Sequence, residues 1–269
     1  MKINTEIIDT YLMEKNLKKI SNNKIFSLIE NGKILFEAPP EESYQKIKNT
    51  YNLFKNIIFS FKPCNYNIWK NIFEISDNTD NSFIIFPIIG APSPYEAMIR
   101  YDENGNTLMI FDIYLLGKNI DNLPKLKENI SLLITHELAH YYIHQRFQYP
   151  QKIENQLKYL FFDEGFAHFL SYSNNIEQIN WNEKKYIKKR EYSYEMLKEK
   201  LKNKLDKNLL IKGITANNYW DKYIAISGMF AIIDFWHSNN KKLDSLKLLY
   251  KKGPEYLWNF WEINYLTKT

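Results

Sequence analysis

The chain has 269 residues, enough for one large domain or two closely packed ones with a substantial core. Apolar residues make up 45% and charged residues 25%, as in ordinary soluble proteins, and no window approaches the roughly 18 unbroken apolar residues of a membrane span. The net charge of +5 sits largely in one helical stretch with interleaved glutamates, which reads as solvated surface rather than a nucleic-acid or membrane-binding face.

Met1–Met13 lacks the apolar run and cleavage pattern of a signal peptide, and the single cysteine, Cys64, admits no internal disulfide, so a cytoplasmic setting is expected. Residues 41–60 carry apolar side chains at every third or fourth position, from Tyr44 and Ile47 to Ile57 and Ile58, and are predicted to be helical. A β-rich section follows, with runs at 83–86 (stopped by Pro87), 97–101 and 107–111. The last two are joined by Asp102-Glu103-Asn104-Gly105-Asn106, a strong hairpin signal.

From Pro124 the pattern turns helical, with Asp121 or Asn122 as cap and apolar periodicity from Leu126 to about Phe147. Further helices are expected at about 151–173, 182–205 and 217–238, with shorter ones closing the chain. The helix at 182–205 contains Lys184–Arg190, Lys198, Lys200, Lys202 and Lys204, with Glu183, Glu191, Glu195 and Glu199 among them, several at i,i+4 spacing. A mixed section feeding an all-helical one is α+β in pattern and mostly helical. Residues 1–120 are expected to form a mixed N-terminal lobe and 121–269 a helical lobe, integrated as one domain.

Within the helix after Pro124 stands His136-Glu137-Leu138-Ala139-His140. Residues four apart share a helix face, so both imidazoles can reach one ion. Glu137 is rotated by about 100° from His136 and projects beside that ion, placed to take a proton from a metal-activated water. A catalytic zinc takes three protein ligands and keeps one position open, so a third donor is required. Ile143 and Arg146 stand where a three-histidine extension would need glycine and histidine. Glu164, 24 positions beyond His140 in Asp163-Glu164-Gly165-Phe166-Ala167-His168, shares a predicted helix face with Leu157, Leu160 and Phe161, and Asp163 is the alternative donor.

These two motifs resemble the gluzincin metallopeptidases, nearest to the alanyl/leucyl-type zinc aminopeptidase core and the peptidase-MA-like proteins, over about residues 105–240. The resemblance implies a thermolysin-like catalytic core, one zinc ion on His136, His140 and Glu164, and a peptide or protein substrate. It also implies that a sheet strand, here Thr107–Asp112, pairs with extended substrate. The family's segment that captures a substrate amino terminus has no counterpart; the nearest stretch, Gly90-Ala91-Pro92-Ser93-Pro94, lacks its glutamate. A tyrosine donating to the developing oxyanion is implied as well, and Tyr223 or Tyr219, 59 and 55 residues beyond Glu164, lies on the predicted fourth helix. His144 continues the row of His136 and His140, and His168 follows Glu164 by one turn, as a second-shell partner or a core residue. His237 and Cys64 read as structural. A zinc hydrolase of non-peptide substrates and a zincin-fold binding protein without catalysis are the alternatives.

Overall fold

Short β-branched and aromatic runs become strands in the computed structural model, and longer periodic stretches become helices. Residues 2–30, 32–75, 82–216 and 218–266 are described. The first elements are β1 (Lys2–Ile3), α1 (Glu6–Glu14), α2 (Leu17–Ser21), α3 (Tyr44–Phe59), α4 (Tyr66–Phe73), β2 (Phe83–Ile88), β3 (Ala97–Tyr101) and β4 (Thr107–Asp112). They are followed by α5 (Ile113–Gly117), α6 (Leu123–Arg146), α7 (Ile153–Ser171), α8 (Lys184–Leu201), α9 (Lys207–Thr215), α10 (Tyr223–Ser238), α11 (Leu243–Lys252) and α12 (Pro254–Trp261). The protein is α+β and mostly helical, with one small mixed sheet. Two compact units are formed, Met1–Lys62 with Asn78–Glu137, and Pro63–Asp77 with Leu138–Thr269. The chain thus passes between them inside α6, whereas the sequence suggested a boundary near residue 120.

In the first unit the strand order is β1-β2-β4-β3. β1, β2 and β4 run parallel and β3 is antiparallel to β4. All six residues of β4 are buried, which explains its unbroken apolar run. That order corrects one expectation. Thr107–Asp112 is an internal strand with ladders on both sides, so it has no edge to offer a substrate; the end strands are β1 and β3, and β3 is the one beside it. Nor does Pro87 stop β2, which continues to Ile88. β1 pairs only with Ile84 and Ile85, so Pro87 lies where β2 has left β1 behind and its missing N–H disrupts no ladder there. In the β3–β4 hairpin, Asp102 Oδ1 accepts from the Asn104 and Asn106 backbone N–H groups at 2.9 and 2.8 Å, and Gly105 takes φ +78°.

At the end of β4, Asp112 is fully buried and caps α5 by accepting from the Leu115 N–H at 2.9 Å. Its other oxygen accepts from the Gly90 and Ala91 N–H groups at 2.7 and 2.8 Å, tying down the loop after β2. Burial lifts this carboxyl to about 6, against the downward pull of the backbone donors. Helix α3 buries Ile47, Thr50, Tyr51, Phe54, Ile57 and Ile58, the face expected from its periodicity. Asn122 Oδ1 accepts from the Lys125 N–H at 3.0 Å, the cap expected at the start of α6.

In the second unit α10 is apolar nearly all round and buried along its length, with α7 packed against it. Two glycines set that approach. A Cβ on Gly165 would stand 2.7 Å from the Gly228 carbonyl carbon, and one on Gly228 would collide with the Phe161 carbonyl. Helix α8 buries only Ser193, Tyr194 and Leu197, so most of its lysines face outward as expected. Arg190 departs from them: it turns inward, its Nε 3.2 Å from Asp234, whose other oxygen accepts from the Tyr194 and Tyr265 hydroxyls at 2.8 and 2.9 Å. The expected helix at 217–238 begins only at Tyr223; Tyr219–Asp221 is a separate 3-10 turn, and α9 precedes it. No helix among the described residues is long and apolar enough to cross a membrane.

Candidate metal centre

Helix α6 carries His136, His140 and His144 at successive i,i+4 positions, which places three imidazoles along one face. Helix α7 supplies Asp163, Glu164 and His168. Ligand atoms of His136, Glu164 and His168 lie within 4.8 Å of one another, as do those of His140, His144 and Asp163. Either set is of a kind that holds a metal ion.

Asp163 organises the histidines. Its Oδ1 is 2.8 Å from His140 Nδ1 and its Oδ2 is 3.1 Å from His144 Nε2. Burial pushes this carboxyl up, but His140 and then His144 outweigh burial and hold it well below the usual carboxylate range. An ionised carboxylate can only accept, so both rings donate to it. His140 therefore carries its proton on Nδ1, which leaves the Nε2 lone pair for another partner. That nitrogen lies 3.9 Å from Glu164 Oε2.

Burial raises the Glu164 carboxyl; His140 opposes this and the neighbouring Asp163 adds to it. A carboxylate enclosed beside a second carboxylate calls for positive charge. His168 is 6% exposed, and its Nε2 is 3.8 Å from the same Glu164 oxygen. Burial lowers its pKa well below the usual value, helped by Lys222 and His140, so the ring is neutral and has a lone pair to give. Donors sharing one ion at about 2.0–2.1 Å stand roughly 3.3 Å apart, so these separations are those of groups that could hold a metal ion. Of the expected ligands, His136 and Glu164 are brought together with His168, while His140 groups with His144 and Asp163 and reaches Glu164 only at 3.9 Å.

Glu137 is buried, 5% exposed, one position beyond His136 on α6. Arg100 of β3 is within electrostatic reach of it. The Arg100 guanidinium is fixed by the carbonyls of Leu28, Ile29 and Ile99 at 2.7, 2.9 and 2.8 Å. The two tyrosines separate clearly. Tyr223 donates its hydroxyl to the Leu209 carbonyl of α9 at 2.6 Å, a packing role. Tyr219 stands edge-on to the His168 ring, centroids 5.1 Å apart, with its hydroxyl 3.7 Å from Met229 Sδ. Burial raises the Tyr219 phenol, and Tyr172 adds to the shift, so it stays protonated and able to donate.

Sequence reasoning weighed Asp163 only as a substitute for Glu164 and so missed its bridge to two histidines. The available signal was the adjacency of two acids on one helix, about 100° apart, which aims them at different neighbours. No protein-family model, curated protein or solved structure matches the chain, so the reading of this centre rests on its own geometry and chemistry.

Proposed function

We propose that the chain is a zinc-dependent peptidase of gluzincin type with a thermolysin-like core, its single ion held by His136, His140 and Glu164. The observation that carries this reading is the pinning of His140: Asp163 takes Nδ1–H at 2.8 Å and leaves Nε2 facing Glu164 at 3.9 Å. A ring fixed in tautomer and orientation by a buried carboxylate is how metal-ligating histidines are prepared.

A bound zinc ion would polarise a scissile carbonyl and bring the pKa of a water molecule to about 7. Beside such an ion Glu137 would serve as general base, accepting a proton from water and returning it to the leaving amine. Arg100, a fixed cation within electrostatic reach, gives the Glu137 carboxylate a positive neighbour. Tyr219 donates its hydroxyl to the developing oxyanion, a contribution of about 3 kcal/mol where such donors have been removed. Extended substrate would add its main chain to the end strand β3, taking affinity from backbone hydrogen bonds common to many sequences.

Metal analysis combined with digestion of a peptide library tests the proposal. The expected result is one equivalent of zinc and chelator-sensitive peptide cleavage. Glu137→Gln should retain the zinc and lose about a hundredfold or more in turnover; an equally active variant would remove the general-base role. Hydrolysis of esters or non-peptide amides with peptides untouched would identify a different zinc hydrolase. Stoichiometric zinc with no cleavage of anything would make the chain a binding protein.

A further inference from the structure

We infer that His168 is a fourth protein ligand of the metal centre, so that the resting ion is closed off by three imidazoles and one carboxylate. The inference deepens the metal reading above and depends on it.

Glu164 Oε2 is the common reference. It lies 3.9 Å from His140 Nε2 and 3.8 Å from His168 Nε2, so both nitrogens stand in the same relation to the carboxylate. Neither distance is a hydrogen bond, since N–H···O pairs fall at about 2.7–3.2 Å. Both are close to the separation of two donors sharing one ion. Relative to Glu164, His168 is therefore placed as closely as His140. His136 joins the same group, its ligand atom within 4.8 Å of those of Glu164 and His168. Placement is local and firm: His168 follows Glu164 by one turn of α7, is buried, and is flanked by the Tyr219 ring at 5.1 Å between centroids.

The consequence is chemical. Four protein donors fill a tetrahedral shell, the pattern of structural zinc, whereas hydrolytic zinc keeps one position for water. Water would reach such an ion only after His168 had left it. The Tyr219 ring against it means that this movement and the positioning of the proposed oxyanion donor are linked. A resting protein built this way releases zinc slowly and turns over slowly until His168 is displaced.

X-ray absorption of the zinc-loaded full chain counts imidazoles directly. Three are expected in the wild type and two in His168→Phe, whose ring fills the same volume against Tyr219. Zinc should also transfer to a chelator at least about tenfold faster from the variant, as for loss of a supporting metal contact. Two imidazoles in the wild type would overturn the inference while leaving the metal reading intact. Failure to retain any zinc would remove both. The wild-type count decides the matter even if the variant does not fold.

Discussion

Asp112 and Asp163 are both enclosed aspartates, yet the first is met by backbone N–H groups and the second by two imidazoles. Backbone donors have no other use. The Asp112 carboxylate therefore acts as a fastening, joining the end of β4 to α5 and to the loop at Gly90-Ala91. An imidazole has a second nitrogen, and holding one nitrogen aims the other. The Asp163 carboxylate is in that sense spent on direction, with Glu164 beside it as the group at which His140 is aimed. The kind of partner, more than the depth of burial, separates an acid that fastens backbone from one that orients imidazoles.

This contrast can be broken by substitution. Glu164→Gln should have the largest effect, lowering zinc affinity by more than the roughly 10–100-fold of an outer-shell loss, because a donor itself is removed. Competition against a metal-sensitive dye measures it. Asp163→Asn should weaken zinc binding by about 10–100-fold, because an amide can accept from one ring only by presenting an N–H to the other. Unchanged affinity in that variant would end the claim that Asp163 aims His140. Asp112→Asn should leave zinc stoichiometry alone but destabilise the fold by about 1–3 kcal/mol in urea unfolding, because its amide would face backbone donors.

The smallest effect belongs to a third acid, Glu74, which is exposed and sets the surface baseline. Hydrogen bonds from Lys247 and then Lys251 hold it down to about 2, from an ordinary 4.5. A depressed carboxyl stabilises the fold above its unfolded pKa, and that contribution disappears as pH falls from 4.5 through about 2. Glu74→Gln should therefore lower Tm slightly at neutral pH and not at all below pH 2, and a larger shift than that of Asp112→Asn would invert the ranking.

The parts of the molecule that the sequence revealed are those with local causes. The row of histidines on α6 follows from four-residue spacing, and the β3–β4 hairpin from Asn104-Gly105 between two β-branched runs. Strand order was illegible because β4 and β3 carry similar runs, and only β2, pairing with β4 from 24 residues earlier, decides which one is internal. The orientation of Tyr223 was illegible for a related reason. It is set by the Leu209 carbonyl at the start of α9, a helix that falls between the expected ones at 182–205 and 217–238. Arg190 was grouped with solvated lysines because nothing in a run of basic residues says which one finds a half-buried aspartate.

The meeting of Gly165 with Gly228 also sets the register of α7. Where two backbones touch without side chains between them, a slide of even one residue would drive a side chain into the slot, so the helix has a single seat along its axis. The glutamate next to that seat inherits its precision. Gly165→Ala, far too small a change to alter the charge of the centre, should displace the Glu164 oxygens by something near the width of a methyl group and detune the donor set without touching it.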